Sequence, residues 1–395
     1  MMKIPALGVI EQTVVSAAGE SVEDLWGSLV TSQTGLQEKP LDWCDLSAWL
    51  GPVHGVDDVV LPEALQARDC RNHRLAWLAL QEPKFREAIT RQKGKTGASR
   101  IGLILGTSTS GIRSTEQAYA IRQSSGAWPV WFNYRNTHSA DALCHFVAQE
   151  LDITGPTATV VAACASSTKA FILAQRWIAA SIVDAVIVGG VDSLCLSTLL
   201  GFNSLQLLSS ERCCPFSMQR NGISIGEAAG FVLLSRESTP ILFLGGGESS
   251  DAWSMTTPHP EGLGASEAMQ YALLNAGLSA GEIGYVNAHG TASRSNDLSE
   301  AKALSAIFGA NGVPVSSTKG VTGHTLGAAG IVEAIITITA LAQQVLPPNV
   351  NTSMSDSDLS VDLITQMRPS YFRYAMTNNF GFGGANCSLI FGRDS

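Results

Sequence analysis

Cys164 is the side chain whose surroundings in the sequence most suggest a nucleophile. It closes an apolar, β-branched run at residues 157–162 (TATVVA), and a helical pattern over 167–180 begins almost at once. A thiol at a helix N-terminus meets unpaired N–H groups and the positive end of the helix dipole, and both favour thiolate. The Cys164 amide is also a candidate donor to a developing oxyanion. Two histidines offer partners. His289 lies in residues 287–291 (NAHGT) and His324 in residues 317–330 (STKGVTGHTLGAAG), each among small residues that let a substrate approach the backbone. A fourth segment, 378–386 (NNFGFGGAN), is glycine-dense with two aromatic residues. No helix pattern follows it, so it fails as a dinucleotide loop. It reads instead as a mobile loop offering a backbone N–H at Gly381–Phe382, with Phe380 and Phe382 as a lid. Singly, each feature has an ordinary structural explanation, such as a buried core thiol or a packed imidazole. A cysteine with histidines elsewhere in the chain is a more specific pattern.

Positioning these groups requires alternating strands and helices. Residues 101–105 (IGLIL), 157–162 and 184–188 (DAVIV) read as buried strands, and 167–180, apolar nearly all round, reads as a helix sunk in the core. The alternation restarts after Pro240. Strands are expected at 241–244, 284–288, 313–316 and 387–391, and helices at 266–276, 297–308 and 328–343. The chain therefore divides into an N-terminal half, 1–240, with the cysteine, and a C-terminal half, 241–395, with both histidines and the glycine-rich segment. Both are α/β with helices on the sheet faces.

Composition narrows the function classes. The 395 residues are 45% hydrophobic with a net charge of −9, which excludes a disordered chain and argues against nucleic acid as a partner. The eight cysteines are scattered without a CxxC pair, so neither a disulfide framework nor a metal site is expected. The N-terminus resembles a strand more than a signal peptide. The apolar run 331–346 contains Glu333 and falls short of a membrane span, so a soluble, cytoplasmic protein is expected. Residues 61–100 hold nine basic and four acidic side chains, a local reversal of the overall charge suited to steering an acidic partner.

In order and spacing, the four segments resemble the β-ketoacyl-acyl-carrier-protein synthases of the Cys-His-His class. The similarity extends to 215–217 (PFS), 220–222, 226–230 (GEAAG) and 251–255 (DAWSM). The resemblance implies the thiolase fold: two similar βαβ-rich halves in five layers, α-β-α-β-α, assembled as a homodimer or with a related chain-length-factor subunit. It implies Cys164 as the acylated nucleophile, with His289 and His324 holding a malonyl thioester carbonyl through decarboxylation. Lys319 would pair with Glu333, and Asp297 and Glu300 would be supporting. Thr291 and Ser293 would contact a pantetheine arm, Thr109 would line the acyl pocket, and Phe382 would gate it. Arg68, Arg71 and Arg74 would dock an acidic acyl carrier protein. No cofactor of its own is implied, since the substrates ride on the carrier's phosphopantetheine arm.

Three departures bear on the substrate. The 205–216 segment is short, with Ser217 and Asn221 where housekeeping elongating enzymes carry aspartates. Thr109 replaces a bulky aliphatic residue, and Ser254 replaces a histidine. They lean toward a specialised aryl-polyene or polyketide pathway. The competing readings are a thiolase-like acyltransferase using coenzyme A, for which Cys387 is the tempting second cysteine, and a non-catalytic chain-length factor, against which Cys164 argues.

Overall fold

The computed structural model describes residues 5–39 and 41–394. Ten strands form its frame: β1 (Leu7–Ser16), β2 (Ile101–Gly106), β3 (Thr157–Val160), β4 (Ala185–Asp192), β5 (Ala228–Ser235), β6 (Ile241–Ser250), β7 (Ile283–Asn287), β8 (Pro314–Ser316), β9 (Tyr374–Gly381) and β10 (Ala385–Arg393). In the first half they lie in the order β3-β2-β4-β5-β1, and in the second β8-β7-β9-β10-β6. Counted within each half, both orders are third, second, fourth, fifth, first. The pairing directions repeat as well: the first two pairings are parallel and the last two antiparallel in each half. The chain thus builds one architecture twice, although the sequences of its halves show no obvious repeat. The two sheets meet edge to edge at β1 and β6, where Leu7 pairs with Phe243 and Gly8 with Leu242.

Helices complete five layers. On the outer face of the first sheet lie α1 (Arg71–Leu80) and α2 (Pro83–Thr96). Between the sheets, α3 (Ser166–Ala179) and α6 (Ala329–Gln343) pack on each other and on strands of both halves. Outside the second sheet lie α4 (Leu263–Ala276) and α5 (Arg294–Phe308). This is the thiolase fold. Helix α6 is apolar all round because it is enclosed all round, every residue from Ala329 to Leu341 being buried. The window 326–343 is long and apolar enough to cross a membrane, but 89% of it is buried inside the protein. One hydrophobic core runs through both halves, joining Leu7 and Val188 to Ile335 and Phe391.

Two elements differ from the sequence expectation. The run at 157–162, read as a buried strand, is strand only to Val160 and forms the edge of the first sheet. It pairs with β2 alone there, is half-exposed, and leads to Val161, which is 61% exposed. Ala158 and Val160 pack against the central core, whereas Val161 is left uncovered within one chain. The 378–386 segment is less of a loop than its glycines suggest. Asn378–Gly381 belongs to β9, in register with β10, and only Phe382–Gly384 turns. The buried side chains of Asn378 and Asn379 are hydrogen-bonded to Ser388, Thr168 and Glu333 and hold it in the sheet.

Candidate active site

The path from β3 to α3 is short and sharply bent. Ala163 takes a left-handed conformation (φ +47°), and Ser166 Oγ ties the bend by accepting from the Ala162 N–H and donating to the Ala163 carbonyl. Cys164 is thereby presented just before the first turn of α3, 7% exposed. The expected thiolate is not the resting state. Burial pushes the thiol up to about 12, against the opposing pull of the Lys319 ammonium and the Phe382 backbone N–H. Asp192 and Glu333 push in the same direction as burial.

The two imidazoles reach the sulfur from the other half. His289 follows β7, and its backbone N–H and that of Gly290 both donate to Glu300 of α5, at 2.8 and 2.7 Å. Asp297, one turn earlier, accepts from the Phe216 and Ala292 N–H groups. The acidic pair therefore clamps the turn that carries His289. Burial raises the Glu300 carboxyl to about 7 even with these two donors. His324 is held by its own backbone, donating to the Ser224 carbonyl and accepting from the Gly226 N–H. Its Nε2 lies 2.9 Å from Cys164 Sγ, and the two imidazole rings stand nearly perpendicular with centroids 5.3 Å apart. Burial first, and then the Lys319 charge, hold both rings well below the usual histidine range, so both are neutral at pH 7.

Lys319 and Glu333 form a fully buried ion pair behind His324. Asn379 Nδ2 donates to the second Glu333 oxygen at 2.7 Å, and Thr168 at the start of α3 donates to the Asn379 carbonyl oxygen. Lys319→Met leaves the Glu333 charge uncompensated in the core, and denaturant unfolding should show a loss of about 3–5 kcal/mol. The double variant Lys319→Met/Glu333→Met should recover most of it. A single variant as stable as the wild type would show that the pair carries no such penalty.

The turn after β9 closes over the sulfur. A Cβ on Gly381 would lie 3.0 Å from the Ala162 carbonyl oxygen and 3.1 Å from the Cys164 nitrogen, so any larger residue would press on the bend that carries the nucleophile. The following Phe382 ring packs on Phe202, with centroids 5.4 Å apart, and Phe380 flanks His289 at 5.8 Å. The cavity at the sulfur is small, about 60 Å³, and is lined by Cys164, His289, His324, Phe380 and Phe382 together with Phe202 and Ile223. Thr291 and Ser293 line its mouth, their hydroxyls 3.0 Å apart.

Other expected residues are placed differently. Thr109 does not line this cavity; its hydroxyl is taken up by the buried Asp192 carboxylate at 2.9 Å. Arg71 is buried and forked onto Glu227, with a further bond to Asp57, so it is structural and has no guanidinium to offer a docking protein. Arg74 chelates Asp69, and Arg68 donates to Gln149; both remain half-exposed. Cys387 is fully buried in β10 and does not line the cavity. The sequence reading missed Phe202, Leu207 and Ile223, the apolar wall opposite the histidines. Leu207 falls in the 205–216 segment read for its length, and Phe202 and Ile223 lie on either side of it with no local signal.

Among the described residues, Cys164, His289 and His324 also form a group compact enough to hold a metal ion, their ligand atoms lying within 4.8 Å of one another. A metal-bound imidazole ordinarily passes its other N–H to an acceptor, and neither Nδ1 atom has a hydrogen-bond partner. The outer shell that would fix them as ligands is missing. Nothing locks either tautomer, so the proton can sit at Nε2 and face the cavity.

Comparison with known proteins gives the family. Residues 9–239 match the N-terminal domain model of β-ketoacyl synthases, and residues 243–353 match the C-terminal domain model. The chain belongs to the β-ketoacyl synthase family. It is 31% identical to 3-oxoacyl-[acyl-carrier-protein] synthase 2 of Vibrio cholerae, with 96% of this chain and 97% of the relative covered. Among solved structures, it is 38% identical, with a TM-score of 0.90, to a chain of the ketosynthase–chain length factor complex of Xenorhabdus doucetiae. That match covers 100% of this chain and 99% of the other. A β-ketoacyl synthase of Burkholderia phymatum matches at 27% identity and TM-score 0.89, covering 99% and 100%. This β-ketoacyl synthase is therefore a condensing acyltransferase on the thiolase fold.

Proposed function

We propose that the chain joins an acyl thioester to malonyl-acyl carrier protein by decarboxylative Claisen condensation, with Cys164 as the covalent carrier. The observation that carries the reading is the 2.9 Å contact between Cys164 Sγ and His324 Nε2, with His289 in the same buried cluster. In the first half-reaction Sγ attacks the acyl thioester carbonyl, the bond to the carrier sulfur breaks, and the thiol proton ends on the departing carrier thiol. The His324 N–H, the Lys319 charge and the N-terminus of α3 favour the sulfur as its negative charge develops. The Cys164 and Phe382 amides would hold the oxyanion.

In the second half-reaction the malonyl thioester carbonyl takes the place of the thiol proton in front of the two Nε2–H groups. Loss of CO₂ moves the C–C bonding pair into an enolate, so charge grows on the oxygen that the imidazoles face. Their stabilisation is then greater in the transition state than in the ground state. The carbanion attacks the acyl-Cys164 carbonyl, the C–S bond breaks, the expelled thiolate takes up a proton from water to restore the thiol, and β-ketoacyl carrier leaves. Because the cavity is so small with Phe382 against Phe202, loading an acyl chain requires that ring to move. Lys319 and Glu333 act as electrostatic support behind the histidines, and Thr291 and Ser293 are placed to hydrogen-bond the pantetheine arm. Arg68 and Arg74 remain as docking residues for an acidic carrier.

We further propose a cytoplasmic dimer joined through the exposed edge of β3, either with a second copy or with a chain-length-factor paralogue. Exposed Val161, Tyr119, Trp131 and Tyr134 are available to be covered there. The Ser217, Asn221 and Ser254 departures favour a specialised polyketide or aryl-polyene substrate. Reconstitution tests the reading. Purified protein, alone and with a co-expressed paralogue, is given acyl-carrier and malonyl-carrier, and CO₂ and β-ketoacyl product are counted. One CO₂ per product is expected. Equal turnover of free acetyl-coenzyme A without decarboxylation would favour the thiolase-like reading, and no acylation of Cys164 in either preparation would favour a chain-length-factor role.

A further inference from the structure

Asp192 ends β4 fully buried, and no step of the condensation uses its carboxylate. It accepts from two segments that never meet in sequence. Its Oδ1 receives the Thr107 hydroxyl at 2.7 Å, the Ser108 and Thr109 N–H groups at 2.8 Å each, and the Thr109 hydroxyl at 2.9 Å. Its Oδ2 receives the Gly327 N–H at 2.6 Å, with a longer 3.0 Å contact from the Ser108 N–H. Gly327 lies three residues beyond His324, immediately after Leu326 in a left-handed conformation (φ +53°). On the other side, Ser108 Oγ donates to the carbonyl of Ala163, the residue that bends the chain into Cys164. One carboxylate therefore ties the His324 loop to the segment that supports the nucleophile.

We propose that Asp192 is a positioning residue for His324: it fixes the loop through Gly327 so that Nε2 stays aimed at the reacting centre. The inference rests on the condensation reading, in which His324 donates to the malonyl carbonyl. The two oxygens have unequal duties, and this makes an isosteric substitution informative. In Asp192→Asn the amide carbonyl faces the four donors at 107–109, which outnumber the single donor from Gly327. The NH₂ group then confronts the Gly327 N–H, donor against donor. The lesion falls on the His324 loop, while the support of the Cys164 bend is retained. Gly327→Ala strains the same contact from the opposite side, a Cβ there lying 2.8 Å from Asp192 Oδ2, and it also presses on Ser108, at 2.8 Å from Oγ and 2.9 Å from the nitrogen, so the ratio of the two rates, not the loading rate alone, is what it reports.

Both variants are made in the full chain, and two rates are followed separately. One is CO₂ release from malonyl-carrier, and the other is acyl loading of Cys164 by mass spectrometry. A displacement of the loop by a fraction of an ångström should lower decarboxylation about 10- to 100-fold. Loading should fall by less than about threefold, since the α3 N-terminus and Lys319 are untouched and loss of the Asp192 charge only eases deprotonation of the thiol. A merely structural role would lower both rates together, in step with the fraction of folded protein, and that outcome overturns the proposal. So does wild-type decarboxylation in either folded variant. If Asp192→Asn does not fold, Gly327→Ala decides by the same ratio. Wild-type protein that loads Cys164 but never releases CO₂ would overturn the condensation reading and this inference with it, and is told apart from the other outcomes because it appears before any substitution.

Discussion

Cys164→Ala is expected to abolish condensation, with a loss on the order of 10⁶-fold in product formation, the scale seen when a covalent nucleophile is removed. The same variant should still release CO₂ from malonyl-carrier at a rate within about tenfold of the wild type. The two imidazole donors that hold the enolate oxygen are placed by β7, Glu300 and the Ser224–Gly226 backbone, none of which depends on the sulfur. Intact-protein mass spectrometry after incubation with acyl-carrier should show one acyl group on the wild type, on the peptide containing Cys164, and none on the variant. A labelled residue elsewhere in a variant that still condenses would contradict the assignment.

His324→Ala separates the half-reactions in the opposite sense. Its Nε2 is one of two donors to the oxygen on which charge accumulates, and removing one such donor costs about 10²- to 10³-fold in decarboxylation. Acyl loading should fall only about tenfold, because the sulfur keeps Lys319, the α3 N-terminus and the Phe382 N–H. Equal losses in both steps would contradict the role given to His324. The protonation state adds a second check. Burial and Lys319 hold both rings neutral, so the groups donate as neutral Nε2–H, and raising the pH does not strip those protons. The decarboxylation rate should therefore show no histidine ionisation between about pH 6 and 8. A rate that falls as pH rises through 6.5 would mean that the donors are imidazolium ions.

The reach of the sequence differed between elements for physical reasons. Strand β2 and helices α3 and α6 were readable to within a residue or so, because an apolar run closed on both sides has few other solutions. Strand β3 read as equally buried and is only half-buried, since it is the edge of its sheet: Ala158 and Val160 pack on the core while Val161 beyond them is exposed. The segment at 378–386 read as a loop from its glycines, whereas the buried, hydrogen-bonded side chains of Asn378 and Asn379 keep half of it in a strand. Arg71 belonged to a basic cluster in the sequence but is drawn inward by Glu227, 156 residues away. Asp192 left a faint trace, an acidic residue closing the apolar run DAVIVGGVD, and nothing local says how many donors converge on it.

What the sequence determined alone was the inventory: a thiol poised between a strand and a helix, two histidines among small residues, a glycine-rich turn, and two successive rounds of alternating strands and helices. Those follow from local preferences and from residue types. The tertiary structure decided the rest. It showed that the strand order repeats in both halves and that, of the two imidazoles, His324 is the one hydrogen-bonded to the sulfur. It also set the balance of the thiol toward its neutral form, because burial depends on every neighbour at once while a helix N-terminus is a local property.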